Sequence, residues 1–454
     1  METLMSTMNV QQFLEQHPFS ALQKRLLVLC FLVVAIDGFD TASIGFIAPV
    51  LRSEWHLSAM ALAPLFGAGL FGLMTGALLF GPLADRYGRK PVLLASVGFF
   101  GLTCLLSSFA GDLGMLLALR FLTGLGLGGA MPTAVTLTSE YCPQSRRSGL
   151  VTLMFCGFTI GSALGGLVAA QLLDAVGWRG ILVIGGAAPL VLLPILAVAL
   201  PESLRWLVLR GRDGASAIAT HIAGAAVQVP RLVVDDIKLP GSPVAQLFRA
   251  GLLGGTLLLW TTFFMSLLII YLLSSWLPTL LHNAGHKLSE ASFISSAFQI
   301  GGTIGAVMLG RWMDRFRPHR VLAVAYLVAA LCIAAVGIFI DNVPLLVLAV
   351  FGVGFGVSGS QVGANALSAA FYPTANRATG VSWANAVGRS GSVVGSMAGG
   401  SLLAAQLSNQ TIFLLLAVPS VLAALALMQM GRRQDRRAAS AFVHIDSTGE
   451  TPTP

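Results

Sequence analysis

The chain has 454 residues, of which 56% are hydrophobic and 10% are charged, and its formal net charge is +8. A soluble globular protein carries about 25% charged residues, so the composition excludes that class and indicates a protein that crosses a lipid bilayer repeatedly. The five cysteines are scattered without the spacing of metal ligands, and we therefore expect neither a metal site nor a disulfide framework.

Hydrophobic residues form twelve runs, each close to the roughly 20 residues that an α-helix needs to cross a bilayer. The predicted spans are residues 25–48, 60–82, 91–110, 113–138, 149–173, 179–200, 254–281, 291–312, 320–341, 344–370, 379–403 and 410–430. The predicted fold class is therefore an all-α membrane protein with twelve transmembrane helices in two six-helix halves. The first span is expected to be retained, because the residues before it are polar and carry no cleavage signature.

The longest polar interruption divides the spans six and six. It predicts an N-terminal six-helix half over 1–200, a cytoplasmic linker over 201–250, a C-terminal six-helix half over 251–430 and a disordered cytoplasmic tail over 431–454. The halves also repeat one another, since "GPLADRYGRK" at Gly81–Lys90 has a weak counterpart in "GRWMDRFRPHR" at Gly310–Arg320. Two six-span repeats are typical of transporters that bind their substrate near the middle of the membrane.

Basic residues concentrate in alternate loops. One set of loops holds Arg86, Arg89, Lys90, Arg146, Arg147, Arg205, Arg210, Arg212, Arg311, Arg315, Arg317, Arg320, Arg377, Arg432, Arg433, Arg436 and Arg437, and the opposite set holds Arg52, Arg179 and Lys287. Loops rich in Lys and Arg lie in the cytoplasm, so both termini are predicted to lie inside. The positive charge is then a topology signal, and we expect the lipid bilayer as a partner and no nucleic acid.

Several motifs resemble a known family. "GPLADRYGRK" is similar to the signature loop of the major facilitator superfamily, and Arg120 with the glycines that follow it resembles the fourth-span motif of that family. "DGFD" at residues 37–40, "GGAMPTAVTLTSEYCP" at 128–143 and "NAVGRSGSVVG" at 385–395 jointly resemble the aromatic acid:proton symporters. The second-half loop lacks the Gly-Arg-Lys ending, and the tail motif of sugar porters is missing, which argues against a sugar as substrate.

The first span carries two acidic residues, Asp37 and Asp40. A charged side chain at the centre of a bilayer costs a few kcal/mol on insertion scales, so its presence indicates a function. The two carboxyl groups lie one turn apart on one helix face, and we expect at least one to exchange the coupling proton. The alternative is a structural role, either in an ion pair or as a cap at the break introduced by Gly38. Arg120 is interpreted as a proton relay or structural partner of this span.

The eleventh span carries Arg389 near its middle, on a polar stripe with Ser382, Asn385, Ser392 and Ser396. A guanidinium stays charged and its fork matches a carboxylate, so we expect Arg389 to bind the carboxylate of the substrate. The alternative is a permanent salt bridge to Asp37 or Asp40. Competition between the substrate and an aspartate for Arg389 would itself couple proton and substrate.

Two further polar stripes are predicted to face the same cavity. They comprise Ser292, Ser295, Gln299 and Thr303 on the eighth span and Ser358, Gln361, Asn365 and Ser368 on the tenth. These side chains are candidates for binding ring hydroxyl groups, and Trp383, Phe155 and Phe158 are candidates for stacking on the ring. The alternative is that the hydroxyl groups only bridge neighbouring helices.

Charged residues of both signs lie at the predicted cytoplasmic ends of the spans. They are Asp85, Arg86, Arg89, Glu140, Arg147, Glu202 and Arg205, with Asp314 and Arg315 in the second half. The resemblance implies that they lock the inward gate while the transporter faces outward. The alternative for the isolated arginines is simple anchoring at the cytoplasmic surface.

Together these features predict a proton-coupled symporter that imports a hydroxybenzoate-type carboxylate across the bacterial inner membrane by alternating access. We expect a monomer with no cofactor besides the coupling proton, no catalytic residues and no nucleotide-binding loop. The alternatives are a proton-coupled exporter or importer of another organic ion, a membrane receptor and an enzyme. Benzoate, 3- and 4-hydroxybenzoate, gentisate and protocatechuate all stay candidates at this stage, and either aspartate is a candidate proton carrier.

Overall fold

The computed structural model is almost entirely helical and describes residues 7–212, 214–224, 231–233, 247–248, 252–372 and 377–448. Its elements in chain order are β1 (Thr7–Asn9), α1 (Val10–Gln16), α2 (Ala21–Glu54), α3 (Ala59–Tyr87), α4 (Arg89–Ser107), α5 (Leu113–Tyr141), α6 (Arg147–Ala199), α7 (Leu204–Leu209), α8 (Ala215–Ala223), β2 (Arg231–Val233), α9 (Leu253–Asn283), α10 (Leu288–Arg315), α11 (Pro318–Ile338), α12 (Val343–Phe371), α13 (Arg377–Ala404) and α14 (Asn409–Thr448).

Ten helices in the described ranges are long and apolar enough to cross a membrane. One of them, α6, contains the fifth and sixth predicted spans, which meet at Gly177, where φ is 63° and ψ is −179°. Only glycine adopts this backbone conformation readily, so Gly177 divides the long helix. The eleventh predicted span corresponds to α13, which is not among these ten helices because its polar stripe lowers its mean hydropathy. The predicted spans therefore all correspond to helices of the structure.

The described residues group into two compact units. Unit 1 comprises Met1–Lys238, Leu272–Ile300 and Ser396–Gln406, and unit 2 comprises Leu239–Tyr271, Gly301–Gly395 and Leu407–Pro454. These boundaries differ from the predicted halves at 1–200 and 251–430, because parts of α9, α10 and α13 pack within unit 1.

Small residues explain the close helix packing in unit 1. A Cβ atom at Gly38 of α2 would overlap the carbonyl oxygen of Phe158 in α6, so glycine is needed there. Ser162 of α6 donates a hydrogen bond of 2.9 Å to the carbonyl oxygen of Gly38. A Cβ atom at Gly45, also in α2, would likewise overlap the carbonyl oxygen of Ser274 in α9. Close backbone approach of this kind is the usual basis of helix association in a membrane.

Hydrogen bonds connect α9, α11 and α14 within unit 2. The Tyr326 hydroxyl donates to Ser266 Oγ at 2.8 Å, and Ser420 Oγ donates to the carbonyl oxygen of Tyr326 at 2.7 Å. The helix α12 contains one stretch of π-helix, Gly354–Ser358. Such an inserted turn changes the face on which the following residues lie.

The expected linker over 201–250 contains folded elements in its described part. The strand β2 pairs in parallel with β1 through residues 7–9 and 231–233. The helix α1 buries Val10, Phe13 and Leu14 in the same hydrophobic cluster as Leu204 and Ile222. The apolar residues of α7 and α8 supply this packing surface, which the polar composition of the linker obscured.

The tail that the sequence analysis expected to be disordered from residue 431 is helical in its described part. The helix α14 continues to Thr448, and residues 449–454 lie outside the described residues. The stretch Gly431–Thr448 contains no proline and is rich in arginine and alanine, which are favourable helix formers.

Candidate functional site

The acidic pair of α2 lies in unit 1, where Asp40 forms a buried ion pair. Arg120 of α5 donates from Nη1 to Asp40 Oδ1 at 3.1 Å and from Nη2 to Asp40 Oδ2. The side chain of Arg120 is 4% exposed and that of Asp40 is fully buried. The structure therefore makes Arg120 a partner of the first span. A two-pronged contact of this kind is the strongest arrangement of a guanidinium and a carboxylate.

Cys104 of α4 is a third member of this cluster that the sequence did not indicate. Its Sγ atom lies 3.0 Å from Asp40 Oδ1, to which the thiol donates, and 3.6 Å from the carbonyl oxygen of Leu182. Cys104 is fully buried. A cysteine without metal-ligand spacing gives no signal in a single sequence, and only the packing of α4 against α5 and α6 brings it to Asp40.

Asp37 is also fully buried. The hydroxyl of Thr41, one turn further along α2, donates to Asp37 Oδ1 at 3.2 Å. The carboxyl group of Asp40 is thus bound by a guanidinium and a thiol, and that of Asp37 accepts a hydrogen bond from a hydroxyl group.

Arg389 of α13 lies in unit 2 and is half-buried. Its Nη1 donates to the hydroxyl oxygen of Tyr271 in α9 at 3.1 Å. Ser392 Oγ, one turn further along α13, donates to the carbonyl oxygen of Arg389 at 2.9 Å. The sequence prediction did not include Tyr271, because a lone tyrosine within the apolar run "LLIIYLLSS" does not stand out from a hydrophobic helix.

The predicted amide side chains of α12 and α13 lie together in unit 2. Asn385 Nδ2 donates to Asn365 Oδ1 at 3.1 Å and to the carbonyl oxygen of Val381 at 3.0 Å. Asn365 Nδ2 donates to the carbonyl oxygen of Gln361 at 3.2 Å. Asn385 lies one turn before Arg389, so the Asn385 amide and the guanidinium share a face of α13.

The other predicted substrate-binding residues are Gln299, Trp383 and Phe155. Gln299 belongs to unit 1, where its Nε2 donates to Ser274 Oγ at 3.2 Å. Trp383 stacks on Trp260 with ring centroids 6.0 Å apart, and its six-residue separation from Arg389 places it about 120° around the helix. Phe155 is half-buried against the hydrophobic cluster of unit 1.

Glu202 organises the charged residues at one end of unit 1. Its carboxylate accepts hydrogen bonds from the backbone N–H groups of Arg89 at 2.9 Å, Lys90 at 3.2 Å and Ser203 at 2.7 Å. Arg89 and Lys90 are the first two residues of α4. The N-cap residue of this helix is Gly88, which has φ of 108° and no side chain that could accept a hydrogen bond from them. Glu202 therefore supplies the negative charge that the start of a helix favours.

The side chain of Arg89 extends the same network. It contacts Asp85 at 2.9 Å and Glu140 at 3.3 Å. Ser203 Oγ donates to the other oxygen of Glu140 at 2.5 Å. The predicted charged residues Asp85, Arg89, Glu140 and Glu202 are thus brought together and join the ends of α3, α4, α5 and α7.

The other predicted gating residues differ in their contacts and burial. Arg86 packs over the ring of Tyr87 at 5.3 Å from its centroid, and Arg147 donates to the side chain of Gln11 in α1. Arg205 is half-buried in α7, whereas Asp314 and Arg315 are exposed at the end of α10.

We predict that Glu202→Gln lowers the free energy of unfolding by about 1.5–3 kcal/mol, because charge-assisted hydrogen bonds of the carboxylate are lost. The measurement is thermal unfolding of the purified protein in detergent. Glu290→Gln is the control, because Glu290 is more exposed and lies in a pair with His286 on α10. Equal unfolding temperatures for the two variants would contradict the assigned role of Glu202.

Comparison with known proteins places this architecture in a family. The profile described as Major Facilitator Superfamily matches residues 30–289 and 259–450. The chain is 46% identical over 429 residues to the 4-hydroxybenzoate transporter PcaK of Pseudomonas aeruginosa, covering 93% of this chain and 96% of that protein. It is 45% identical over 432 residues to a gallate transporter of Pseudomonas putida, covering 94% and 96%.

Among solved structures, a D-xylose-proton symporter is similar with a TM-score of 0.70 and 20% identity, covering 89% of this chain and 97% of that one. At this identity the likeness concerns the fold alone. The family match and the two close relatives confirm the resemblance of the signature motifs. The chain therefore belongs to the Major Facilitator Superfamily, and it is a membrane transporter and not an enzyme.

Proposed function

We propose that this transporter imports an aromatic carboxylate of the hydroxybenzoate type together with a proton. The observation that carries the substrate class is the similarity to transporters named for 4-hydroxybenzoate and gallate, at 42–46% identity over most of the chain. Both compounds are benzoic acids with ring hydroxyl groups, so the shared chemistry is a carboxylate on a polar aromatic ring.

The geometry of unit 2 fits this substrate. Arg389 presents a permanent positive charge on a half-buried face of α13, and Asn385 lies one turn away on the same helix. The Asn385 amide contacts Asn365 of α12, which in turn contacts Gln361. We propose that the guanidinium binds the carboxylate and that the amides bind ring hydroxyl groups. A charge-assisted hydrogen bond is about twice as strong as one between neutral groups, so the carboxylate should dominate affinity.

The acidic pair of α2 is proposed to carry the coupled proton. A proton that enters with a monoanion makes the transport cycle electroneutral, so that the pH gradient alone drives accumulation. A second proton would add about 2.3 kcal/mol per 100 mV of membrane potential. The network around Glu202 and Arg89 is proposed to hold the helix ends of unit 1 together while access alternates between the two sides.

The basic loops, which include Arg86, Arg89, Arg146 and Arg147, are proposed to face the cytoplasm. In that orientation both termini lie on the cytoplasmic side of the bacterial inner membrane. We propose the monomer as the transporting form.

The test is uptake of labelled benzoate, 4-hydroxybenzoate, gentisate and gallate into proteoliposomes with an alkaline interior. Wild type is compared with Asp37→Asn, Asp40→Asn, Arg389→Ala and, as a control, Arg311→Ala at the exposed end of α10. Arg389→Ala is expected to lower uptake at subsaturating substrate at least tenfold, which corresponds to about 1.4 kcal/mol, whereas Arg311→Ala keeps wild-type uptake.

The aspartate variants separate coupling from binding. A variant that still exchanges labelled for unlabelled substrate but no longer accumulates it against the gradient has lost the coupling residue. If wild type moves none of these acids, the proposed substrate class is wrong. If it releases a preloaded acid in exchange for external protons and never accumulates one, the transporter is an exporter.

A further inference from the structure

Tyr271 differs from the other buried tyrosines in the part of the chain that the structure describes. Tyr326 donates to Ser266 Oγ, Tyr372 donates to Thr256 Oγ1, and Tyr141 donates to the carbonyl oxygen of Glu202. The Tyr271 hydroxyl instead accepts a hydrogen bond, which comes from Arg389. Three buried tyrosine hydroxyls thus donate a hydrogen bond to a protein oxygen, whereas the Tyr271 hydroxyl accepts one from a guanidinium.

The chemistry of the two groups fixes their roles in this contact. A guanidinium has five N–H donors and no acceptor, whereas a phenol has one O–H donor and lone pairs that accept. At the 3.1 Å contact with Arg389 Nη1, Tyr271 must therefore be the acceptor. The hydrogen of the phenol is left over, and the described residues include no oxygen or nitrogen that accepts it.

Because Tyr271 is buried, a hydroxyl hydrogen without an acceptor indicates that a ligand supplies the acceptor. Tyr271 is 9% exposed, and buried polar groups nearly always find a partner. The missing acceptor has to lie beside a guanidinium, because the same hydroxyl touches Arg389. An anion attracted by Arg389 would bring oxygen atoms to this position, and a carboxylate has two oxygen atoms for two donors.

We propose that Tyr271 is a substrate-binding residue that donates a second hydrogen bond to the carboxylate held by Arg389. This inference rests on the proposed function, since it requires an aromatic carboxylate at Arg389. The two donors come from different helices, α9 and α13, and together they select a carboxylate over a neutral ester. An ester of the same acid offers no charge to the guanidinium and one good acceptor instead of two.

The experiment compares Tyr271→Phe with Tyr326→Phe in the full-length protein, by equilibrium binding of 4-hydroxybenzoate and by uptake into proteoliposomes. Tyr326→Phe is the matched control, because it also removes one buried phenol hydroxyl from unit 2. We expect Tyr271→Phe to weaken binding of 4-hydroxybenzoate about tenfold or more, as for a hydrogen bond to a charged group. Inhibition by methyl 4-hydroxybenzoate should stay within twofold of wild type.

A second comparison separates direct contact from support of Arg389. In an Arg389→Lys background, a phenol that donates to the substrate still contributes, and Tyr271→Phe should weaken binding further. If Tyr271 only positions the guanidinium, Tyr271→Phe has no additional effect in that background, and the inference is overturned. Tyr271→Met replaces Tyr271→Phe if the latter unfolds at a lower temperature than the control.

The two proposals fail in different ways. If wild type binds 4-hydroxybenzoate and Tyr271→Phe binds it equally well, the role of Tyr271 is wrong and the proposed function survives. If wild type binds and transports no aromatic acid, both proposals are overturned.

Discussion

Asp40→Asn is expected to lower the free energy of unfolding by about 3–5 kcal/mol, the range found when one partner of a buried ion pair is removed. The reason is that Arg120, whose side chain is 4% exposed, keeps its charge without the carboxylate. Cys104 also loses the ionised oxygen to which its thiol donates. Thermal unfolding in detergent, followed by intrinsic fluorescence, measures this loss.

The double variant Asp40→Asn/Arg120→Gln tests whether the loss of stability comes from the unpaired charge of Arg120 or from the altered shape of the side chains. Removal of both charges avoids an uncompensated buried cation, so the double variant should recover much of the stability that the single variant loses. It should not recover transport if Asp40 takes part in proton coupling. If both variants unfold at the wild-type temperature, the ion pair contributes nothing to stability.

A surface pair provides the comparison. Glu54 and Arg179 are 2.9 Å apart with side chains 41% and 45% exposed. Exposed pairs contribute only about 0–1 kcal/mol, so Glu54→Gln should unfold within a few degrees of wild type. A loss as large as that of Asp40→Asn would show that burial is not the cause of the difference.

Gly38→Leu is expected to lower the free energy of unfolding by about 3 kcal/mol, the upper end of the range for overpacking. Even a Cβ atom at this position would overlap the backbone of Phe158, and a backbone carbonyl cannot move aside as a side chain does. The substitution should separate α2 from α6 and break the hydrogen bond from Ser162 to Gly38. Because Gly38 lies between the two acidic residues of α2, uptake should be lost as well.

Gly81→Leu is the matched control for this variant. Gly81 lies in α3, another membrane-spanning helix, and a Cβ atom there would meet nothing within 4 Å. The yield of monodisperse protein and the unfolding temperature are compared for the two variants. Similar values for Gly38→Leu and Gly81→Leu would show that the contact between α2 and α6 tolerates a side chain.

Much of the fold can be predicted from the sequence, because a helix needs a hydrophobic run of a defined length to cross the membrane. The twelve predicted spans all correspond to helices. The sequence did not predict that α1, α7, α8 and β2 would pack together, since their apolar residues are few and dispersed among polar ones. Nor did it show that parts of α9, α10 and α13 pack with unit 1.

The candidate site divides in the same way. Asp37, Asp40 and Arg389 were recognised from the sequence because a charge within an apolar span costs free energy wherever its partners lie. Arg120, 80 positions from Asp40, was recognised as a candidate partner of the first span, whereas Tyr271, 118 positions from Arg389, was not recognised. Cys104 and Tyr271 are also ordinary residues of an apolar helix.

The sequence by itself determined that this protein is a twelve-span transporter with an acidic pair in its first span and an arginine in its eleventh, because the length of a hydrophobic run and a charge within it are local properties. Only the tertiary structure decided that Asp40 is paired with Arg120 and Cys104 whereas Asp37 accepts from Thr41. It alone placed Tyr271 against Arg389. Which residues meet depends on how each helix is rotated and tilted against its neighbours, and side chains from many separate spans decide those angles together.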